Sequence, residues 1–300
     1  MFKLKAMALI LAGTALVACQ SEEEPAEEQA AASESSAQAS SASAEEAPFR
    51  EGSLADILAG DHRSEENRAR DLYRNPEATL FFFGLSPTDT VIEINPGGGW
   101  YMEVIAPFVN EEGQYIAAHP DPSLDDMPSY VVDQAKQIEQ RVEAQDALFG
   151  NAEVQFYDPS EPVLGEPGSA DKVLTFRNVH NWVNGGQAEA MFKAFADVLK
   201  PGGVLGVVQH RADDGSSAEE TAKTGYVSEE EVIALAEAAG LSLEERSNLN
   251  ANPKDTRDHP EGVWTLPPSL ALGEERKGEF EAIGESDRMT LKFVKPANDE

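Results

Sequence analysis

The segment V91-I92-E93-I94-N95-P96-G97-G98-G99-W100 ("VIEINPGGGW") decides how the rest of the chain is read. A short β-rich run ends in three adjacent glycines, and the apolar stretch "YMEVIAPFV" follows. Glycine lacks a Cβ and reaches positive φ freely, so a ligand can lie directly against such a loop. A helix after it offers unpaired N–H groups and the positive end of its dipole. Strand, glycine loop and helix therefore make a nucleotide-type cradle. Two versions are disfavoured. A P-loop needs Lys-Ser/Thr after its last glycine, where this chain has Trp100-Tyr101. A dinucleotide fingerprint needs a small sixth residue, and counting from Gly97 that residue is Met102.

Around this unit, strands alternate with helices. "SEENRARDLYRNP" predicts a helix from Ser64 that stops before Pro76, and Asn75-Pro76 suits the cap and first position of another through about Phe83. "TVIEI", "QYIAAH", "AEVQFY", "DKVLTF" and "VLGVVQH" read as strands 1 to 5. Between them lie helices at Trp100–Asn110, at Ser129 to a stop at Gly150, and in "GQAEAMFKAFADVLKPGG". "SEEEVIALAEAAG" carries a Ser228/Glu231 capping box. "LSLEERSNL" and "DRMTLKFVKP" are the last two strands, joined by a loop without a helical crossover and hence antiparallel. The expected fold class is α/β, a mostly parallel sheet with helices on both faces. Its ligand crevice lies at the carboxyl ends of the strands.

In order and spacing these segments resemble the class I S-adenosylmethionine-dependent methyltransferases. That family's first motif is an acidic residue two places before a Gly-x-Gly-x-Gly loop, here Glu93-Ile94-Asn95-Pro96-Gly97-Gly98-Gly99. "SADKVLTFRNVHNW" is similar to its fourth strand and the segment after it, and "ADVLKPGGVLGVV" to its Pro-Gly-Gly turn and fifth strand. With the closing "SDRMTLKFVKP", the set resembles a group of exported, uncharacterised predicted methyltransferases. The resemblance implies a Rossmann-like methyltransferase fold of seven strands with an antiparallel last strand. It implies S-adenosyl-L-methionine as cofactor and a small-molecule acceptor.

It also implies roles. Gly97, Gly98 and Gly99 would line the cofactor, and Glu93 would anchor the loop or meet the cofactor's amino group through water. Asp158, after strand 3, would meet the adenine amino group, and Asn178, after strand 4, the methionine or substrate. The chain departs from the family pattern at Asn95, in the place of the first glycine, and at His119, where an acid usually binds the ribose hydroxyls.

Of five histidines, His119, His180 and His210 each follow a strand. One of His180 and His210 is expected to act as general base, with hydrogen bonding at strand ends as the alternative role. No pair has HExxH spacing, and no metal is expected. Tyr101, Arg177 and Tyr226 are candidates to orient an anionic or aromatic substrate. No Gly-x-Ser-x-Gly elbow argues for a hydrolase.

The ends of the chain set its expected location. Lys3 and Lys5 precede an apolar run too short to span a bilayer, the pattern of an export signal over residues 1–18. Leu16-Val17-Ala18-Cys19 resembles a bacterial lipobox, with Cys19 lipidated. Gln20 in place of Asp favours the periplasmic face of the outer membrane. Residues 19–48, rich in Ala, Ser and Glu, read as a disordered tether, and 49–300 as one domain. Contact with a membrane is expected through the anchor alone. With 23 basic and 55 acidic residues the net charge is −32, which excludes nucleic acid as a partner. An exported ligand-binding module without turnover is the alternative to an enzyme.

Overall fold

Side chains of β1 (Thr90–Ile94) alternate between two buried layers. Ile92 and Ile94 enter one apolar cluster and Val91 the other, so Glu93 points into the same layer as Val91. This short strand sits at the centre of the sheet and determines where the cleft opens.

The computed structural model describes residues 53–144 and 146–297; the predicted leader, Cys19 and the tether lie outside them. The other strands are β2 (Gln114–Pro120), β3 (Ala152–Tyr157), β4 (Ala170–Phe176), β5 (Leu199–His210), β6 (Ser242–Ser247) and β7 (Arg288–Val294). They form one seven-stranded sheet in the order β3-β2-β1-β4-β5-β7-β6. Pairs from β3 across to β5 are parallel, and β7 runs antiparallel to both β5 and β6. The fold class expected from the sequence is thus the one observed.

Numbered in chain order, α1 (Leu54–Ala59), α4 (Pro76–Phe82), α5 (Met102–Val109), α6 (Ser129–Ala144) and α7 (Asp146–Phe149) cover one face. The helices α8 (Val179–Asn184), α9 (Ala188–Val198) and α11 (Glu229–Ala238) cover the other. Their apolar stripes explain the layering: Met191, Phe192 and Phe195 of α9, at positions i, i+1 and i+4, are fully buried against Ile92, Val173 and Leu205.

Three segments differ from the sequence reading. The helix expected over "SEENRARDLYR" is broken into α2 (Glu65–Ala69) and α3 (Asp71–Arg74). At Arg70 the backbone closes an i→i+3 bond to Asn67, and the tightened turn lets Arg70 and Arg74 both reach Glu285. Asn75, at φ +41, ends α3, and Pro76 opens α4 where the dipeptide predicted it. The helix expected from Ser129 to Gly150 is two helices, α6 and α7. The loop between β6 and β7 holds a 3-10 turn (Gly262–Thr265) and α12 (Lys277–Ile283), while α10 (Ala218–Thr221) follows β5. These turns bury Val263 and Phe280, apolar side chains that an open loop would leave in water.

Candidate ligand cleft at the switch point

Strand order reverses between β1 and β4, and a cavity of about 620 Å³ opens at their carboxyl ends. The loop after β1 supplies Asn95, Gly97 and Gly98, and the last two residues of β2 are His119 and Pro120. Arg177 and Asn178 follow β4, and Arg70 and Arg74 come from the amino-terminal helices.

The glycines of the loop serve different purposes. A Cβ on Gly99, whose φ is +77, would stand 2.6 Å from Arg141 Nη1 and 3.2 Å from Ile138 Cδ1 of α6. Arg141 donates to Gly98 O at 2.8 Å and to Glu103 Oε1 of α5 at 2.8 Å, so this guanidinium pins the loop to two helices. Gly99 is therefore required by the protein's own packing, and it does not line the cleft. Gly98 is the opposite case. It lines the cleft, its φ is outside the left-handed region, and a Cβ there would meet nothing within 4 Å. No intramolecular contact accounts for the missing side chain, which leaves open a surface that a ligand would fill. Asn95 has φ +50 and so adopts the left-handed conformation that Asn tolerates best after glycine. Tyr157 Oη donates to Asn95 Oδ1 at 2.8 Å and fixes the side chain.

Beneath the loop, the buried Glu93 accepts a 2.6 Å hydrogen bond from Tyr115 Oη on β2. Burial pushes its carboxyl up to about 7, against the smaller opposing effects of the Tyr115 bond and of Arg177 and Arg141. Among the described residues only Oε2 is engaged, and Glu93 is part of the cleft wall. His119 shares a 3.1 Å bond between Nδ1 and Pro120 O. A carbonyl only accepts, so Nδ1 carries the proton and Nε2 is an acceptor, in a ring whose pKa burial lowers. Asn178 Nδ2 donates to Ile94 O at 2.9 Å and to Thr175 Oγ1 at 3.1 Å, bracing β1 against β4 and leaving Oδ1 for the cleft.

The other candidates are dispersed. Asp158 is exposed, with its carboxylate held by Ser160 N and Oγ in its own turn, and Pro159 lines the cleft instead. Tyr101 lines the cleft with its ring stacked on Phe176 at 3.5 Å. Tyr226 does not reach the cleft: it is buried and its hydroxyl donates to both oxygens of Asp255. His180 and His210 face a second cavity of about 390 Å³, which shares the Arg177 wall with the first.

The Gln209 amide bonds Gly225 O through Nε2 at 2.9 Å, which fixes its orientation, and the same nitrogen meets His180 Nδ1 at 3.3 Å. Nδ1 of His180 therefore accepts and Nε2 bears the proton, so the neutral ring presents a donor and not a base. Burial lowers its pKa to about 4. His210 is also held well below its ordinary value, first by burial and then by His180 and nearby guanidinium groups, and its Nδ1 bonds Ser286 Oγ.

Sequence reasoning did not single out Arg74, Arg141, Tyr115 or Tyr157. A signal for Arg70 and Arg74 existed in their i, i+4 spacing. The tyrosines and Arg141 carried none, because their roles arise from distant strands and helices that come together only on folding.

No protein-family model matches the chain, and no curated protein does. Solved structures do match in fold. A putative sarcosine dimethylglycine methyltransferase from Galdieria sulphuraria aligns at TM-score 0.54 and 17% identity, over 79% of this chain and 89% of its own. A SAM dependent methyltransferase from Aquifex aeolicus aligns at 0.50 and 16%, over 81% and 98%. The (4+2)-cyclase SpnF aligns at 0.54 and 14%, over 82% and 92%. The shared property is the fold, and the cyclase demonstrates that one fold carries more than one chemistry.

Proposed function

We propose that this chain is an S-adenosylmethionine-dependent methyltransferase for a small-molecule acceptor, exported and tethered by a lipid on Cys19. The observation that carries the reading is Gly98: a cleft-facing glycine, open at its Cβ position, directly after the central strand and above a buried carboxylate. The residues present fit the cofactor. Gly97 and Gly98 would lie along its methionine and ribose, His119 Nε2 would accept from one ribose hydroxyl, and Asn178 Oδ1 would meet the methionine end. The free oxygen of Glu93 suits an ammonium group. The chemistry that a bound S-adenosylmethionine would supply here is an electrophilic methyl group carried on a sulfonium. The contribution of this chain is alignment and exclusion of water, which transfer of such a methyl needs more than a base.

Calorimetric titration of the full chain with S-adenosylhomocysteine tests the reading, and no heat at millimolar ligand would sink it. The pH profile is a second check. With Glu93 near 7 in the free protein, binding an ammonium beside it requires its ionised form. Affinity is expected to fall about tenfold per pH unit below about pH 7, and Glu93→Gln should flatten the profile. The free protein shows the complementary sign. A carboxyl raised above its unfolded value stabilises fully below about pH 4.5, and that stabilisation, about 3 kcal/mol, is lost as pH rises through about 7.

A second reading, a receptor that binds without turnover, is favoured by His119, which engages one hydroxyl where a carboxylate would clamp two. Binding of cofactor without methyl loss in a broad acceptor screen would select it.

A further inference from the structure

Arg74 is fully buried, lines the cleft, and lacks partners for most of its donors. Its Nε donates to Glu285 Oε2 at 3.1 Å, but Nη1 and Nη2 make no hydrogen bond among the described residues. The guanidinium carbon lies 4.6 Å from the Trp100 ring centroid. That contact favours the charge but leaves the in-plane N–H groups unsatisfied. Arg177 stands beside it in the same cleft wall, and its side chain makes no hydrogen bond or ion pair among the described residues. It follows β4 with φ +66, an uncommon backbone conformation for an arginine.

Arg70 also lines the cleft, and Arg288 is the third guanidinium on Glu285, so one carboxylate is ion-paired with Arg70, Arg74 and Arg288, while Arg177 feels it only at longer range and has no ion pair among the described residues. Burial, and then the neighbouring Arg177, hold the Arg74 guanidinium well below its ordinary pKa, as expected for buried cations short of counter-charge. In a chain of net charge −32 this is a local excess of positive charge at the floor of a pocket. Leaving buried N–H donors of a cation unpaired is costly, and an anion in the cleft removes the cost.

We infer that Arg74 and Arg177 form an oxyanion subsite that holds a carboxylate or phosphate group of the methyl acceptor. This deepens the methyltransferase reading and rests on it for the word acceptor; the anion site itself does not. The stacked Tyr101 and Phe176 beside it would pack a planar body attached to the anionic group. Because Arg177 also walls the second cavity, an acceptor anchored there can extend towards His180, which presents Nε2–H as a donor.

The test uses the full chain without cofactor, titrated with benzoate, phenyl phosphate and the neutral control benzyl alcohol. Binding of either anion, no binding of benzyl alcohol, and at least about a tenfold loss in Arg177→Asn support the subsite. Asn tolerates the left-handed backbone at this position, and an unchanged thermal midpoint verifies that the variant folds. The stronger of the two anions identifies the group. S-adenosylhomocysteine affinity in the same variant should stay within about threefold. Binding of neither anion overturns the inference, as does equal binding of benzyl alcohol. Loss of S-adenosylhomocysteine with anion binding unchanged also overturns it and assigns the arginines to the cofactor's own carboxylate. Arg177-dependent anion binding in a chain that takes no S-adenosylhomocysteine would keep the subsite and remove the methyltransferase reading.

Discussion

Gly98→Val is expected to weaken S-adenosylhomocysteine binding by roughly 10- to 100-fold while leaving the thermal midpoint of the free protein unchanged. Added methyl groups where a ligand must lie typically cost about 1–3 kcal/mol. The free protein is spared because a Cβ at this position meets no atom within 4 Å and the backbone is not left-handed. The neighbouring Gly99→Ala is the internal control with the opposite signature. Its Cβ would collide with Arg141 and strain a φ of +77, so it should lower the midpoint first. Calorimetry paired with thermal melts on both variants separates a ligand surface from a packing constraint. Equal affinity of Gly98→Val and the unchanged chain would place the cofactor elsewhere.

Glu285→Gln is expected to be the most destabilising single change near the cleft, by roughly 3–5 kcal/mol. Its carboxylate takes Arg70 at 2.8 Å, Arg74 at 3.1 Å and Arg288 at 3.0 Å, all from a nearly buried position. Removing it leaves these guanidinium groups, and Arg177 near them, without their shared counter-charge. Burial opposes the ionised form, but Arg288, Arg74, Arg70 and Arg177 together lower its pKa to about 2. A depressed carboxyl stabilises above its unfolded value near 4.5, and this contribution, about 3 kcal/mol, is lost as pH falls towards 2. Urea titrations at pH 7 and pH 3 should therefore show the variant's deficit shrinking in acid. A deficit that is the same at both values would mean that the carboxylate contributes by shape alone.

Glu93, in the cleft wall, and Glu285, buried against the cleft-lining Arg70 and Arg74, oppose each other in pH. Glu93 stabilises the free protein in acid and Glu285 towards neutrality. Both facts were hidden in a sequence where each is one acidic residue among many. Glu93 was legible as a site residue because it precedes the glycines by a fixed spacing on a strand. Glu285 was not, since two of its three partners, Arg70 and Arg74, lie more than two hundred positions earlier in the chain.

Periodicity and punctuation were enough for the sheet. Alternation in β1, the amphipathic stripe of α9 and the Asn75-Pro76 boundary depend on neighbours within a few residues, and there the structure follows the reading closely. The same local rules placed the glycine loop, Glu93, His119, Arg177 and Asn178 at one edge, because every strand that carries them runs parallel and ends on the same side. What they left undecided was orientation and partnership. Gly98 and Gly99 are identical as letters, and only the approach of Arg141 from α6 separates a ligand surface from a packing requirement. Tyr226 was a candidate to orient a substrate and His180 follows a strand end, yet Asp255 holds the first and Gln209 sets the proton on the second. The unsatisfied Nη donors of Arg74 and the lack of an ion pair at Arg177 are likewise properties of the assembled cleft: counter-charge is counted in space, over a few ångströms, and sequence separation carries no information about it.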